Sequence, residues 1–306
     1  MSALDSLAPA ESPQRLDKFV PVSFVCFIIS KINRSCLRSN VILDKSPIRV
    51  ISSGLCTDYH TYSLLQSRTS YIIKVRIDMN PIKELTLYSY FYSSASWRVR
   101  AVLLWKNIPY KYENIPLLEN VQHSDQYTKI NPLRQVPSLK IELDDGRTHH
   151  LTQSLAIIQY LDHYYPEPAI YPKDPILRAK CNAIADTISG GIQPLQNLET
   201  LIKYGEPLGK TDLTQEDRKK IARYWIDGKM KKLDELVAQT AGKYCVGDEL
   251  SVADICLVPQ MYNARDRFEL DTSQYPTIKA IDERLREMEI FKKSHPYACP
   301  DAPKKS

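Results

Sequence analysis

The stretch of sequence that decides the fold is Ser93-Ser94-Ala95-Ser96-Trp97-Arg98-Val99-Arg100. It follows a strand-like run, Leu85 to Phe91, and leads into a segment whose apolar residues recur on one face of a helix. Those apolar residues are Trp97, Ala101, Leu104 and Trp105. A serine cluster at this place lies beside unpaired N–H groups at the positive end of the helix dipole. The pattern is typical of a serine N-cap, and it is also suited to stabilising an anion or a thiolate.

The composition excludes several classes of protein. Of the 306 residues, 43% are hydrophobic and 25% are charged, which is typical of a globular protein of one or two domains. The net charge of +5 is modest and the basic residues are scattered, so nucleic-acid binding has no support. The longest apolar run, residues 20–29, is interrupted by Pro21 and Ser23 and is too short to cross a bilayer. We therefore expect no membrane association.

The cysteines indicate where the protein resides. There are seven of them, irregularly spaced and without a C-x-x-C motif. This pattern predicts neither a metal site nor a disulfide framework, and it is typical of a reducing compartment. We therefore expect a cytoplasmic protein.

The first region of the chain, residues 1–82, lacks sustained helical or strand periodicity and is rich in Ser and Arg. We favour the interpretation that it is a disordered N-terminal extension. A mitochondrial targeting segment is the alternative, because such segments are rich in Arg and Ser and poor in acidic residues. A secretory signal is less favoured, because acidic residues precede the apolar run.

The second region, residues 83–166, alternates strand and helix patterns. After the first strand and helix come an extended run at 109–117, a strand at 136–141, a hairpin turn at 144–147, a returning strand at 148–151 and a helix after Gln153-Ser154. This order, βαβ and then ββα, predicts a small α/β sandwich with a mixed sheet. Pro137 cannot donate to a sheet ladder. Unless Val136-Pro137 lies at a sheet edge, this predicts a cis peptide that turns the preceding backbone toward a ligand.

The third region, residues 175–304, follows a proline-rich linker at 166–175 and is predicted to be helical throughout. Within it, Ser251-Val-Ala-Asp254 precedes an apolar run and has the pattern of a capping box.

Together these features resemble the glutathione transferase fold, an α/β thioredoxin-like N-terminal domain followed by an all-α C-terminal domain. The opening octet is similar to the signature of the zeta class, Ser-Ser-Cys-x-Trp-Arg-Val-Arg. Further runs similar to that class are residues 131–139, 153–158, 190–198, 244–249 and 253–260. The resemblance extends in order from about residue 83 to residue 304.

The resemblance implies a function as well as a fold. The cofactor would be glutathione and the substrate a small dicarboxylate, in the cis–trans isomerisation of maleylacetoacetate to fumarylacetoacetate during tyrosine and phenylalanine degradation. The thiolate would add to the cis double bond and leave after rotation about the resulting single bond. Transferase activity toward small α-halo acids and a homodimer are also implied. The alternative is a catalytically inactive binding module of the same fold.

The resemblance also implies the site residues. Ser93 is the first choice for the hydroxyl that donates to the thiolate, and Ser94 is the second. The implied glutathione-binding residues are Ser93, Ser94, Ala95, Ser96, Trp97, Arg98, Gln122, Val136, Gln153, Ser154, Gln193, Asn197, Leu198 and Glu199. Arg98 and Arg267 are predicted to bind the substrate, with Arg265 as the alternative, because a guanidinium matches a carboxylate.

This chain departs from the zeta-class pattern at two positions. Ala95 stands where the class has Cys. The segment Asn263 to Phe268 contains one extra residue, so Arg265 and Arg267 compete for one role. The region 1–82 has no counterpart in the class.

Overall fold

The computed structural model describes the backbone of residues 59–66 and 69–76 and the chain over residues 81–210 and 212–304. The chain divides into two units, residues 1–80 and 81–306. In the first unit, β1 (Tyr59–Gln66) and β2 (Thr69–Arg76) form an antiparallel hairpin. The sequence analysis assigned no strand there, because neither segment alternates cleanly between apolar and polar residues. Pro81 and Ile82 belong to the second unit, whose first strand begins at Ile82. The rest of the predicted extension lies outside the described residues, so its disordered or targeting character stays a prediction.

The second unit begins with the predicted sandwich. Its sheet contains β3 (Ile82–Ser89), β4 (Lys111–Asn114), β5 (Ser138–Leu143) and β6 (Thr148–Thr152) in the order β4-β3-β5-β6. β3 pairs with β4 in parallel and with β5 antiparallel, and β5 pairs with β6 antiparallel. The predicted mixed sheet is therefore confirmed, although β4 covers only part of the predicted extended run at 109–117.

The helices of the sandwich are α1 (Ser94–Trp105), α2 (Asp125–Ile130) and α3 (Ser154–Tyr164). Two short 3-10 turns, Leu117–Glu119 and Val121–His123, precede α2. The peptide between Val136 and Pro137 is cis, and it stands immediately before β5. These strands and helices have the βαβ–ββα order predicted from the sequence. This order brings the start of α1, the start of α3 and Val136 to one cavity.

The remainder of the second unit is helical, as predicted. Its α-helices are α4 (Pro175–Asp186), α5 (Leu198–Lys203), α6 (Gln215–Ala238), α7 (Val252–Tyr262), α8 (Pro276–Arg286) and α9 (Glu289–Ser294). Shorter 3-10 turns lie at Gln193–Gln196, Glu206–Leu208, Thr272–Gln274 and Pro296–Ala298. Among the described residues, none of the helices combines the length and the apolar character that a membrane crossing requires.

The buried helix α7 begins at the predicted capping box. The carboxylate of Asp254 accepts hydrogen bonds from Ser251 N at 2.9 Å, from Ser251 Oγ at 3.0 Å and from Cys245 N at 2.8 Å. Because a buried carboxylate without such donors would be costly, these three bonds define where α7 starts. α7 packs against both α1 and α4, and so joins the two halves of the unit.

The extra residue predicted in the segment Asn263 to Phe268 is accommodated by a change of helix type. Asn263–Arg267 is a π-helical turn directly after α7, closed by a hydrogen bond from Phe268 N to Asn263 O at 2.9 Å. A π turn holds one residue more than an α turn. The inserted residue therefore widens one turn at the end of α7.

Candidate functional site

The second unit contains a cavity of about 650 Å³ between the sandwich and the first helical turns after it. Residues from distant parts of the sequence meet in it. Those that were predicted as site residues are Ser93, Ala95, Arg98, Gln122, Val136, Gln153, Ser154, Gln193, Asn197, Leu198 and Glu199. The structure thus places most of the predicted glutathione-binding residues on one surface.

Ser93 is the N-cap of α1 and faces this cavity. Its Oγ accepts a hydrogen bond from Ser96 N at 3.2 Å, and its carbonyl oxygen accepts from Trp97 N at 2.9 Å. Within the described chain, the N–H groups of Ser94 and Ala95 make no hydrogen bond. The cavity therefore meets a serine hydroxyl at the positive end of a helix, which favours an anion.

Three other residues of the octet that were predicted to bind glutathione, Ser94, Ser96 and Trp97, lie away from the cavity. Ser94 is the first residue of α1 and does not line it, and Ser96 is fully buried. Trp97 is also buried, and its Nε1 donates to Ser294 Oγ of α9 at 2.8 Å. The helical period explains the difference, since the start of α1 presents Ser93, Ala95 and Arg98 to the cavity and Trp97 to the C-terminal helices.

Arg98 is a buried cation without a carboxylate partner among the residues that the structure describes. Its side chain is fully buried, and Nη1 donates to Ser154 Oγ at 3.3 Å. Nε and Nη2 are buried and have no hydrogen-bond partner among the described residues. Burial lowers the pKa of the Arg98 guanidinium. A buried charge of this kind is costly unless an anion is bound, and Arg98 lines the cavity where an anion could bind.

The start of α3 supplies the second half of that anion site. Gln153, the N-cap, has a φ of 69° and makes no side-chain capping bond. The first N–H groups of α3 are therefore left for a ligand, next to the hydroxyl of Ser154. A positive φ on a residue other than glycine is typical of functional sites. Arg98, Ser154 and the α3 N-terminus together are suited to one carboxylate.

The opposite end of the cavity carries cations that the sequence analysis missed. His123, Arg134 and Lys203 line it together with Glu199. Lys203 Nζ lies 2.8 Å from Glu199 Oε1, and this hydrogen bond lowers the pKa of the Glu199 carboxyl, with smaller effects from His123 and Arg134. Two cations, Arg134 and Lys203, stand against the one carboxylate of Glu199, so this part of the cavity is positive.

Arg134 stands on a loop, His123 on a 3-10 turn and Lys203 at the end of α5, so no single sequence pattern marks them. Arg134 has a φ of 56°, and its N–H donates to Asn131 O at 2.9 Å. The side chain of Asn131 accepts from Leu133 N and donates to Gln135 O, which fixes the loop. A signal for Arg134 was available only in Asn131-Pro132, which indicates a turn but not its direction.

Two of the predicted residues, Gln122 and Gln193, line the same cavity but differ in the hydrogen bonds of their side-chain amides. Gln122 Nε2 donates to Leu117 O at 3.3 Å, while its Oε1 is buried without a partner among the described residues. Gln193 Nε2 donates to Asn197 Oδ1 at 3.2 Å. The 3-10 turn Gln193–Gln196 brings Gln193 and Asn197 together.

The two competing arginines differ in their partners. Arg265 is ion-paired with Asp266 at 2.7 Å and with the buried Asp282 at 2.8 Å. Arg267 has no ion pair in the described chain, and its guanidinium lies 5.5 Å from the ring centre of Tyr92. Neither lines the cavity at Ser93. Arg267 is nevertheless beside the turn, because Tyr92 immediately precedes Ser93.

The remaining environment of Arg265 is a second cavity, of about 830 Å³, beneath the C-terminal segment. Its lining shares no residue with the lining of the first cavity and includes Trp97, Tyr262 and His295. Arg265 is thus ion-paired and lines the second cavity. Arg267 is the arginine that remains available near Ser93.

Comparison with known proteins identifies the class to which this fold and site belong. Residues 87–169 match the glutathione S-transferase N-terminal domain family, and residues 200–293 match the glutathione S-transferase C-terminal domain family. The chain belongs to the glutathione S-transferase family, which confirms the predicted family and fold class.

Within that family, several of the similar proteins are named maleylacetoacetate isomerase. Probable maleylacetoacetate isomerase 1 of Drosophila melanogaster is 46% identical over 220 residues, 71% of this chain and 83% of that protein. Maleylacetoacetate isomerase of Mus musculus is 46% identical over 219 residues, 71% of this chain and 94% of that protein. A crystal structure of maleylacetoacetate isomerase from Anaeromyxobacter dehalogenans 2CP-1, with glutathione in the active site, matches with a TM-score of 0.65 at 40% identity, covering 74% of this chain and all of that chain.

Proposed function

We propose that this chain is a glutathione-dependent maleylacetoacetate isomerase, which converts the cis double bond of maleylacetoacetate to the trans bond of fumarylacetoacetate. The names of its relatives and the glutathione bound in a similar structure support this assignment. The observation that carries it is the hydroxyl of Ser93, which faces the cavity from the N-terminus of α1.

The cavity fits glutathione because its polar groups match both ends of the tripeptide. The γ-glutamyl carboxylate would be held by the N-terminus of α3 with Arg98 and Ser154. The glycyl carboxylate would lie toward the cations Arg134 and Lys203 and the imidazole of His123. Buried polar atoms at both ends lack a partner among the described residues, namely Nε and Nη2 of Arg98 and Oε1 of Gln122. Such atoms are costly unless a ligand satisfies them.

The residues around Ser93 would make the cofactor reactive. Bound glutathione supplies the thiolate that adds to the substrate double bond and later leaves it. A free thiol has a pKa of about 8.5, which a helix N-terminus and hydrogen-bond donors lower. Ser93 would donate its hydroxyl hydrogen, and the N–H groups of Ser94 and Ala95 would add the field of α1. Ser94 would contribute through its backbone, since it does not line the cavity.

The substrate would be oriented by Arg267. This guanidinium is unpaired within the described chain, stacks on Tyr92 and lies next to the Ser93 turn. Burial lowers the pKa of Arg267, and the phenols of Tyr92 and Tyr90 oppose that effect. A largely buried cation beside the reacting centre is suited to a substrate carboxylate. Small α-halo acids carry the same carboxylate and would react at the same thiolate.

We also propose a cytoplasmic homodimer. The cysteines that the structure describes, Cys181, Cys245, Cys256 and Cys299, are all free thiols, which is typical of a reducing compartment. The family resemblance supports the dimer, and measurement of the molar mass in solution tests it.

The alternative function is a catalytically inactive module that binds glutathione, and the specific observation in its favour is Ala95 in place of the family Cys. An assay of the purified full chain with maleylacetone, with and without glutathione, separates the two. Isomerisation that requires glutathione supports the enzyme. Glutathione binding without turnover supports the module.

A further inference from the structure

The C-terminal segment returns to the sandwich beside the catalytic turn. After α9 the chain forms the turn Pro296–Ala298, followed by a second turn in which Ala302 N donates to Cys299 O at 3.1 Å. These turns carry Asp301 to the end of β3, where its Oδ2 accepts a hydrogen bond from Phe91 N at 2.9 Å. Its Oδ1 accepts a hydrogen bond from the hydroxyl of Tyr112, which lies in β4, at 2.7 Å. One carboxylate thus joins the C-terminus to two strands.

The N–H group that Asp301 holds belongs to the turn that positions Ser93. Ser93 N donates to Tyr90 O at 3.0 Å and closes a turn of four residues, Tyr90 to Ser93. Phe91 is the second residue of this turn, and the N–H group at that position takes no part in the closing bond. A turn N–H without an acceptor would leave the turn free to rotate. Asp301 supplies the acceptor from a point 210 residues further along the chain.

The opposite side of the same turn is held by Arg100. Its Nη2 donates to Phe91 O at 3.1 Å and its Nη1 to Tyr90 O at 3.3 Å. Its Nε donates to Ser294 O, at the end of α9, at 3.2 Å. The turn therefore lies between a buried arginine and a carboxylate, and both of them are anchored by residues of the C-terminal region.

A ring contact reinforces the attachment. The ring centre of Tyr297 lies 6.1 Å from that of Phe91. Phe91 is therefore bound to the C-terminal segment through its backbone and through its side chain. No other residue between Tyr90 and Ser93 has a hydrogen bond to that segment in the described chain.

We propose that Asp301 is a positioning residue for Ser93, which acts by holding Phe91 and hence the turn that aims the Ser93 hydroxyl at the cofactor sulfur. This inference rests on the proposed function. Asp301 does not line the cavity at Ser93, and a carboxylate near the thiolate would oppose its formation by charge. Its contribution is therefore geometric. A displacement of about 1 Å at a catalytic group can lower a rate about 100-fold.

Three variants of the full-length protein test the proposal. Asp301→Ala removes the acceptor, Asp301→Asn keeps an oxygen for Phe91 N–H without the charge, and Tyr112→Phe removes the hydroxyl that donates to the other carboxylate oxygen. We expect Asp301→Ala to lower kcat about 10-fold or more while KM for glutathione changes less than about twofold. We expect Asp301→Asn and Tyr112→Phe to remain within about threefold of the parent protein.

The thiolate of bound glutathione gives a second measurement that does not need turnover. Its ultraviolet absorption, followed against pH, reports the pKa of the thiol, and Asp301→Ala should raise that pKa while Asp301→Asn should not. Equal losses in the Ala and Asn variants, an Ala variant like the parent, or a loss explained by weaker glutathione binding would overturn the proposal. A parent protein that forms the thiolate without isomerising maleylacetone would contradict only the proposed function.

Discussion

Ser93 Oγ accepts a hydrogen bond from the N–H of Ser96 across 3.2 Å, and the same hydroxyl faces the cavity. A hydroxyl carries one donor and two acceptor lone pairs. Accepting from Ser96 therefore fixes the oxygen and leaves its hydrogen available to an anion. The Ser93 hydroxyl can therefore cap α1 through its oxygen and donate to a thiolate through its hydrogen, so the two interpretations of this serine do not compete.

The first prediction concerns the Ser93 hydroxyl. Ser93→Ala removes a hydrogen bond to a charged group, which contributes about 1.5–3 kcal/mol. The pKa of bound glutathione should therefore rise by about 1–2 units, at 1.36 kcal/mol per unit. Because less thiolate is then present at neutral pH, kcat should fall about 10- to 100-fold there and recover at higher pH. The measurement is the pH profile of kcat together with the thiolate absorption.

Ser94→Ala is the matched control, since Ser94 adjoins Ser93 but does not line the cavity. It should change kcat less than about threefold. Equal and small losses from both variants would contradict the assignment of Ser93. Ser93→Ala also removes an N-cap, which costs about 0.5–2 kcal/mol of stability, so the free energy of unfolding is measured for both.

The second prediction concerns the unpaired guanidinium of Arg98. Arg98→Met replaces a buried cation by an apolar side chain of similar length, which is often neutral or stabilising. The melting temperature without glutathione should therefore stay the same or rise. Glutathione should bind about 10-fold more weakly or worse, because a charge-assisted hydrogen bond of about 1.5–3 kcal/mol is lost. Thermal denaturation with and without glutathione measures both effects.

Arg100→Met is the contrasting control. Arg100 is as buried as Arg98, but it donates to Ser89, Tyr90, Phe91 and Ser294. Its loss leaves several buried acceptors without donors, so this variant should be clearly destabilised. If Arg98→Met were destabilised to the same extent, Arg98 would be a structural residue and not a ligand-binding one.

These two arginines show how far the sequence could predict the site. Both stand in the octet two residues apart, and the family pattern contains both. The resemblance located Arg98 correctly on the cavity with Ser93 and Ser154. Arg98 donates to Ser154, 56 positions away, and Arg100 donates to nearby residues and also to Ser294, 194 positions away. Contacts at that separation have no local sequence signal.

Local patterns were sufficient for the order of elements, the mixed sheet and the start of α7 at Ser251. They were insufficient where the outcome depends on a loop direction or on the chain end. Arg134 lies on the cavity because of a backbone with positive φ, and Asp301 reaches Phe91 because two turns redirect the chain. The insertion between Asn263 and Phe268 was visible as a count, but its accommodation by a π turn was not.

The third prediction concerns the departure from the family at Ala95. Ala95 lines the cavity as the second residue of α1, and its side chain is nearly buried. Ala95→Cys places a weak S–H donor at the positive end of the helix, close to Ser93. We expect kcat to rise up to about threefold, with no loss of stability because the two side chains differ by one sulfur atom. Steady-state kinetics measure it, with Ala95→Ser as the control of similar size. A lower kcat in the Cys variant would show that the cavity has adapted to alanine.

The last prediction distinguishes the two arginines after α7. Arg267→Gln should raise KM for the dicarboxylate about 10-fold or more, because a charge-assisted hydrogen bond to a carboxylate is lost. The melting temperature should change little, since Arg267 has no ion pair in the described chain. Arg265→Gln is the matched variant of equal size and charge. It removes a partner of the buried Asp282, so it should lower stability and leave KM within about twofold. Kinetics and thermal denaturation of both variants measure these effects, and an increase in KM confined to Arg265→Gln would reverse the assignment.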